Sequence, residues 1–285
     1  RRRARAETLA GQGPATLASA LAWALLDQDD PERIGRLKII DADMGCEILR
    51  VCYAIAAGGA SAPFLDDREN EGATIIGVCL RAVLLDERDP WKVPQICRDG
   101  IHLLTCAPRT YYVWLVENGS PARLHNILEP LLVFYLVEED PDHQEPDRQI
   151  VPCLECVRKT VLSCARGKRE FKELIFPAAD DDAWRAALAA SKAKAATDDD
   201  TKKAFDEARV HPIDAPRFAV RSYLFKLMTD HHAATKRLAS ELLYELCDKN
   251  AEEFTLRCGV GNAIAFLQVK NLMPLAPGQE DPWGR

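Results

Sequence analysis

The chain has 285 residues, 47% of them hydrophobic, with 37 Lys+Arg against 44 Asp+Glu and a formal net charge of −7. That apolar content can fill a core, which excludes a disordered tail. The acidic balance argues against a general nucleic-acid binder, which needs a basic excess to neutralise phosphates, but it leaves local basic patches open.

Arg1-Arg2-Arg3 and the following Ala4 to Gln12 hold no apolar signal-peptide core. No apolar stretch, Ile127 to Val137 included, is long enough to span a bilayer. The expectation is a cytoplasmic protein with reduced thiols, read from a fragment of a longer frame because it begins at Arg1. Ile48, Leu49, Cys52, Tyr53 and Ala56 repeat at helical spacing, and Gly58-Gly59 supplies a stop. Ile75, Ile76, Cys79, Leu80, Val83 and Leu84 predict a second helix, closed by Asp89-Pro90. Tyr111 to Val116 could be a strand, but no alternating partner segment exists, so helix is expected. Leu124 to Val137 is apolar almost all round and predicts a helix buried on several sides. A stripe of Ile150, Leu154, Val157, Val161 and Ala165 follows, with Pro152 tolerated in the first turn. Ala178 to Arg209, rich in Ala, Asp and Lys, reads as an exposed insertion, and Asp140 to Asp147 as a polar loop. Leu238, Leu242, Leu243, Leu246 and Cys247 form the last clear stripe.

A short phrase recurs. Leu104-Thr105-Cys106-Ala107 resembles Leu162-Ser163-Cys164-Ala165, and Leu246-Cys247-Asp248 is a looser copy. Seven residues after each Cys stands a large apolar residue, Val113, Phe171 or Phe254. Coincidence in a Leu-rich helical chain would explain three imperfect copies. Stacked helix pairs, each covering its neighbour's apolar face, explain them better. The expected fold is all-α, an armadillo/HEAT-like helical-repeat solenoid wound as a superhelix. It would be one domain over residues 1–285, incomplete at both ends, with an insertion at 178–210 and an irregular tail at 274–285.

Cys153-Leu-Glu-Cys156 has the spacing of a zinc or redox pair, yet no second pair completes four ligands and no strand precedes it. Packed helical thiols are the expected reading, with no metal and no cofactor. His231-His232 is expected in a solvated turn. Gly259-Val-Gly261-Asn262 lacks the third glycine and the preceding strand of a dinucleotide fingerprint. It reads as a sharp turn in which Asn262 caps a helix from Ala263 to about Leu272, stopped by Pro274. No phosphate loop, nucleophile elbow or carboxylate pair stands out, so no catalytic residue is expected. Arg166, Lys168, Arg169 and Lys172 form one basic concentration, and Arg217, Arg221, Lys226, Lys236 and Arg237 a second. Such residues can line a groove, although a solvated outer face is the commoner fate of charge runs.

The run Leu238-Ala-Ser-Glu-Leu-Leu-Tyr-Glu-Leu-Cys247, then Phe254, Gly259-Val-Gly-Asn-Ala263 and Asn271-Leu-Met273, resembles the synembryn family. Leu224-Phe-Lys-Leu-Met-Thr229 and Pro152 to Pro177 are similar to it as well, so the resemblance covers roughly Leu128 to Met273. It implies a guanine nucleotide exchange factor and folding chaperone for heterotrimeric G-protein α subunits, acting in G protein-coupled receptor signalling. In that family a concave groove takes the C-terminal helix of the α subunit, GDP leaves, and the empty protein is held until GTP binds. The resemblance implies a monomer in the cytoplasm or at the cell cortex, with no nucleic-acid partner. Arg166, Lys168, Arg169, Lys226, Lys236 and Arg237 are the candidate partner-binding residues. Cys247, Phe254, Gly259, Gly261 and Asn262 are candidate structural-motif residues, with Gly259, Gly261 and Asn262 shaping the last turn of the solenoid. The chain departs from the family in its Asp-rich insertion, and Pro274 to Arg285 contains no Ser or Thr where the family carries an acidic, phosphorylatable segment. The rival reading is an armadillo-like scaffold that binds another helix or peptide without exchange activity. A zinc or thiol enzyme built on Cys153 and Cys156 is the third.

Overall fold

The computed structural model describes residues 42–57, 94–117, 119, 121–137, 150–177 and 220–272. The expected helix at Ile75–Leu84, the Gly58-Gly59 stop, the loop at 140–147, the insertion at 178–210 and the tail at 274–285 lie outside the described residues. Among the described residues every regular element is a helix: α1 (Ala42–Ala57), α2 (Pro94–Leu104), α3 (Arg109–Glu117), α4 (Pro121–Val137), α5 (Ile150–Ser163), α6 (Ala165–Ile175), α7 (Val220–Leu227), α8 (Ala233–Leu246), α9 (Ala251–Cys258) and α10 (Val260–Val269). The fold is all-α, built from short packed helix pairs of the armadillo/HEAT kind. The contacts group residues 1–127 with 147–167 as one compact unit, and 128–146 with 168–285 as another.

In the first unit α1 packs on α2, and α5 packs on both α2 and α3. The expected stripe of α1 is buried at Leu49, Cys52 and Ala56, and Tyr53 meets His102 of α2 edge to face at 5.6 Å. Arg50 donates to Asp99 at 2.9 Å, which gives a nearly buried carboxylate its counter-charge. Tyr111 to Val116 is helical, as the missing strand partners require, and buries Tyr112, Leu115 and Val116. Helix ends here are closed by cations from neighbouring helices. Arg109 at the start of α3 donates twice to the Ser163 carbonyl at the end of α5, at 2.8 and 2.6 Å. Lys159 of α5 donates in return to the Thr105 carbonyl after α2. Carbonyls left over at a helix C-terminus carry partial negative charge, so cations settle there.

All three copies of the recurring phrase fall between two helices, as expected, but their cysteines do different jobs. Cys247 is buried, while Cys106 and Cys164 are half-buried. Cys164 breaks α5 from α6, and its Sγ accepts the Gly167 N–H at 3.4 Å, so a thiol serves as the N-terminal cap. Ala165 therefore begins α6 and does not extend the stripe of α5. Gly167 allows that turn to sit close: a Cβ there would lie 2.7 Å from the Thr160 carbonyl oxygen and 3.0 Å from Val116 Cγ2.

In the second unit α7 packs on α8, and α8, α9 and α10 pack mutually. Tyr135 of α4 donates to Asp230 in the α7–α8 turn at 2.9 Å. Leu238, Leu242, Leu243, Leu246 and Cys247 are all buried, which makes the predicted stripe of α8 the core of this unit.

Candidate functional site

Helices α7 to α10 hold most of the residues singled out by sequence. Tyr244, Phe254 and Phe266, one from each of α8, α9 and α10, form a triangle with ring centroids 5.3 to 5.5 Å apart. Tilted and edge-to-face rings at that spacing gain quadrupolar attraction beyond their buried area. Phe254 is fully buried at its centre. Asn250 caps α9, its Oδ1 accepting from the Glu252 and Glu253 N–H groups at 2.9 and 3.1 Å.

The glycine turn corrects the sequence reading. Gly259, at φ 82° and ψ 145°, is the residue between α9 and α10, and α10 already begins at Val260. Asn262 thus lies inside the first turn of α10 instead of before it. Its Nδ2 donates back to the Cys258 carbonyl at 2.9 Å and closes the end of α9. Gly261 has no left-handed φ, and a Cβ there would meet nothing within 4 Å, so nothing local demands glycine. The helix ends at Val269, with Asn271 in left-handed conformation after it, before Pro274 can act.

The candidate basic residues separate by environment. Arg166 and Arg169 on α6, Lys226 on α7 and Arg237 on α8 are exposed, and Lys236 is half-buried. Lys226 Nζ stands 5.5 Å from the centroid of Tyr223. Lys168 is committed within the protein: it meets Asp248 at 2.7 Å, and Lys172 meets the same carboxylate at 2.8 Å. The lysine hydrogen bonds hold the Asp248 carboxyl below its ordinary range. Burial lowers the Lys172 ammonium, but its bonds to Asp248 and Glu253 more than offset this and raise it.

Leu256, Val260 and Ile264 stay on the surface, at 40%, 53% and 37% exposure. The sequence reading places Val260 in the glycine turn and assigns no face to Leu256 or Ile264. The missed signal was that α10 is apolar on more sides than α8 and α9 can cover. His231 is exposed and meets Asp230 at 3.0 Å in the α7–α8 turn, as a solvated turn requires. Cys153 and Cys156 are packed inside the first unit. Burial pushes the Cys156 thiol up to about 12 and Cys153 well above its usual value, so neither is a ready thiolate. Cys156 donates to the Ile101 carbonyl, and the Tyr112 hydroxyl donates to Leu104 O at 2.6 Å. Among the described residues no cluster of His, Cys, Asp and Glu could hold a metal ion. No described helix is long and apolar enough to cross a membrane.

Residues 211–282 match the family model of the guanine nucleotide exchange factor synembryn. The described part of the matched segment is α7 to α10 with the Gly259 turn. No curated protein matches the chain. Among solved structures, one engineered protein is 16% identical at a TM-score of 0.40, with 90% of this chain and 89% of that chain covered. A second engineered protein is 14% identical at a TM-score of 0.27, covering 88% and 74%. TM-scores that low do not establish a shared fold.

Proposed function

We propose that the protein is a guanine nucleotide exchange factor and folding chaperone for heterotrimeric G-protein α subunits. The observation that carries this reading is the synembryn match over the segment that folds as α7 to α10. The partner's C-terminal helix, being amphipathic, needs an apolar surface and a charged margin. Leu256, Val260 and Ile264 are exposed apolar side chains suited to the first role, and Lys226 and Arg237 are exposed cations suited to the second. Basic residues at the margin act mainly on association rate and register.

Exchange on such a surface needs no acid, base or metal from the protein. Tighter binding to the nucleotide-free α subunit than to the GDP-bound one shifts the partner's equilibrium toward release. A thousandfold preference corresponds to about 4 kcal/mol of differential binding. The same preference for an unfilled, loosened α subunit serves a chaperone. The test is GDP release from a purified α subunit, with parent protein and with a Val260→Asp, Ile264→Asp double variant. The parent accelerates release and the variant does not. Release unchanged by the parent would remove the exchange reading, and full acceleration by the variant would remove this surface from it.

A further inference from the structure

Helix α9 is attached in two chemically different ways. Toward α8 and α10 it is held by Phe254 in the aromatic triangle. Toward α6 it is held by charge. Lys168, Lys172 and Phe176 stand at i, i+4 and i+8, and Phe176 keeps the helical register because its N–H still donates to Lys172 O at 2.8 Å. This stripe meets Asp248 in the turn before α9, and Glu253 and Arg257 one turn apart within it. The contacts are Lys168–Asp248 at 2.7 Å, Lys172–Asp248 at 2.8 Å, Lys172–Glu253 at 3.3 Å, and the Arg257 guanidinium 4.6 Å from the Phe176 ring centroid. Arg257 also pairs with Glu253 at 2.9 Å, which links the seam into one network.

The turn that carries Asp248 adds a second observation. Asp248 and Lys249 are consecutive left-handed residues, at φ 56° and 58°, and neither is glycine. A residue with a Cβ disfavours that region, and a surrounding constraint is needed to keep two in a row there. Backbone hydrogen bonds close the turn, Asp248 N–H to Glu245 O at 3.1 Å and Lys249 N–H to Tyr244 O at 3.0 Å, and the two lysines converging on the Asp248 carboxylate tether it to α6. The Asp248 side chain is 57% exposed, so salt reaches and screens the pairs, whereas the aromatic triangle is indifferent to salt.

We infer that Asp248 is the hub of an electrostatic latch that holds α9 against α6 and loosens with ionic strength. The latch stands independently of the partner proposed above. Asp248 acts here as a positioning residue: its carboxylate ties the turn to α6, and the turn leads directly into α9. Native-state hydrogen exchange on the full chain reads it, between about 0.01 M and about 1 M salt, where the screening length falls from about 30 Å to about 3 Å. The reporters are the Phe254 and Gly259 amides of α9, bonded to Asn250 O and Thr255 O, against the Cys247 amide closing α8. In the parent, high salt raises exchange of the two α9 amides about fivefold more than that of Cys247. In Asp248→Asn their exchange is already raised at low salt and most of the extra salt response is gone, only the Lys172–Glu253 pair remaining. Lys168→Gln with Lys172→Gln gives the same result from the other side of the seam, should the first variant fold poorly. Equal salt responses of α8 and α9 in the parent, or a full differential response in either variant, would overturn the latch.

Discussion

At the α5–α6 junction one residue, Cys164, separates two helices, and the following turn sits so close that Gly167 has no room for a Cβ. At the α8–α9 junction the chain passes through Cys247, Asp248, Lys249 and Asn250, two of them left-handed, and the turn is tethered by lysines on a carboxylate. Both junctions open on a copy of the Leu/Cys phrase, yet the first is held by steric fit with Arg109 on the neutral Ser163 carbonyl, and the second by ion pairs over an aromatic anchor. Shared wording in degenerate repeats marks where a chain turns, while the residues just beyond it decide what holds the turn. The consequence is different sensitivity: the first junction, with one cation on a neutral carbonyl, should respond much less to salt and pH than the second, with its full ion pairs.

The largest expected effect lies in the apolar half of the second junction. Phe254→Ala opens a cavity at the centre of the aromatic triangle and should cost about 3–5 kcal/mol by denaturant unfolding. A cost below about 1 kcal/mol would mean that the α8–α9 junction rests on charge alone. At the first junction, Gly167→Ala drives a Cβ toward backbone and should cost about 1–3 kcal/mol. That outweighs the roughly 1 kcal/mol that alanine gains in helix propensity. The loss should be the same at low and high salt; a salt-dependent loss would erase the contrast between the junctions.

Two glycines within one turn sharpen the point further. Gly259→Ala forces a Cβ into a glycine region and should cost about 1–3 kcal/mol. Gly261→Ala adds a methyl to open space in a helix and should be neutral or stabilising by up to about 1 kcal/mol. Reversed signs for the pair would contradict the placement of the α9–α10 break.

The smallest effect is in pH. Because the folded Asp248 carboxyl is held below its ordinary value by Lys168 and Lys172, it contributes stability that is complete above the unfolded carboxyl's titration near 3.8. That contribution is lost as the pH falls further, through the folded value. The facing groups are Lys168 and Lys172 from α6 and Glu253 from α9. The stability gap between parent and Asp248→Asn should thus be level from about pH 7 to about pH 5 and close below about pH 4. A gap that widens on acidification would contradict the pairing.

Helical periodicity made α1, α5 and α8 legible almost residue by residue, because a stripe records which face must leave water. It also settled Tyr111 to Val116 as helix, through the absence of any strand to pair with. What periodicity does not record is the neighbour that covers a face. Lys172 and Asp248 are 76 residues apart, and Arg109 and Ser163 54 apart, so neither pairing has a local signature. Lys168 read as a partner-binding residue for that reason, though its charge is spent inside the protein. Asn262 misled differently: Asn before an apolar run is a common helix start, but here the preceding glycine had already opened the helix. The exposure of Val260 and Ile264 was hidden by their apolarity itself.

The most direct test of the proposed function is the affinity of the purified chain for one G-protein α subunit in two states, nucleotide-free and GDP-loaded, measured under the same conditions. Exchange by differential binding predicts markedly tighter binding to the empty form. Equal affinity for the two states, or binding to neither, would contradict it.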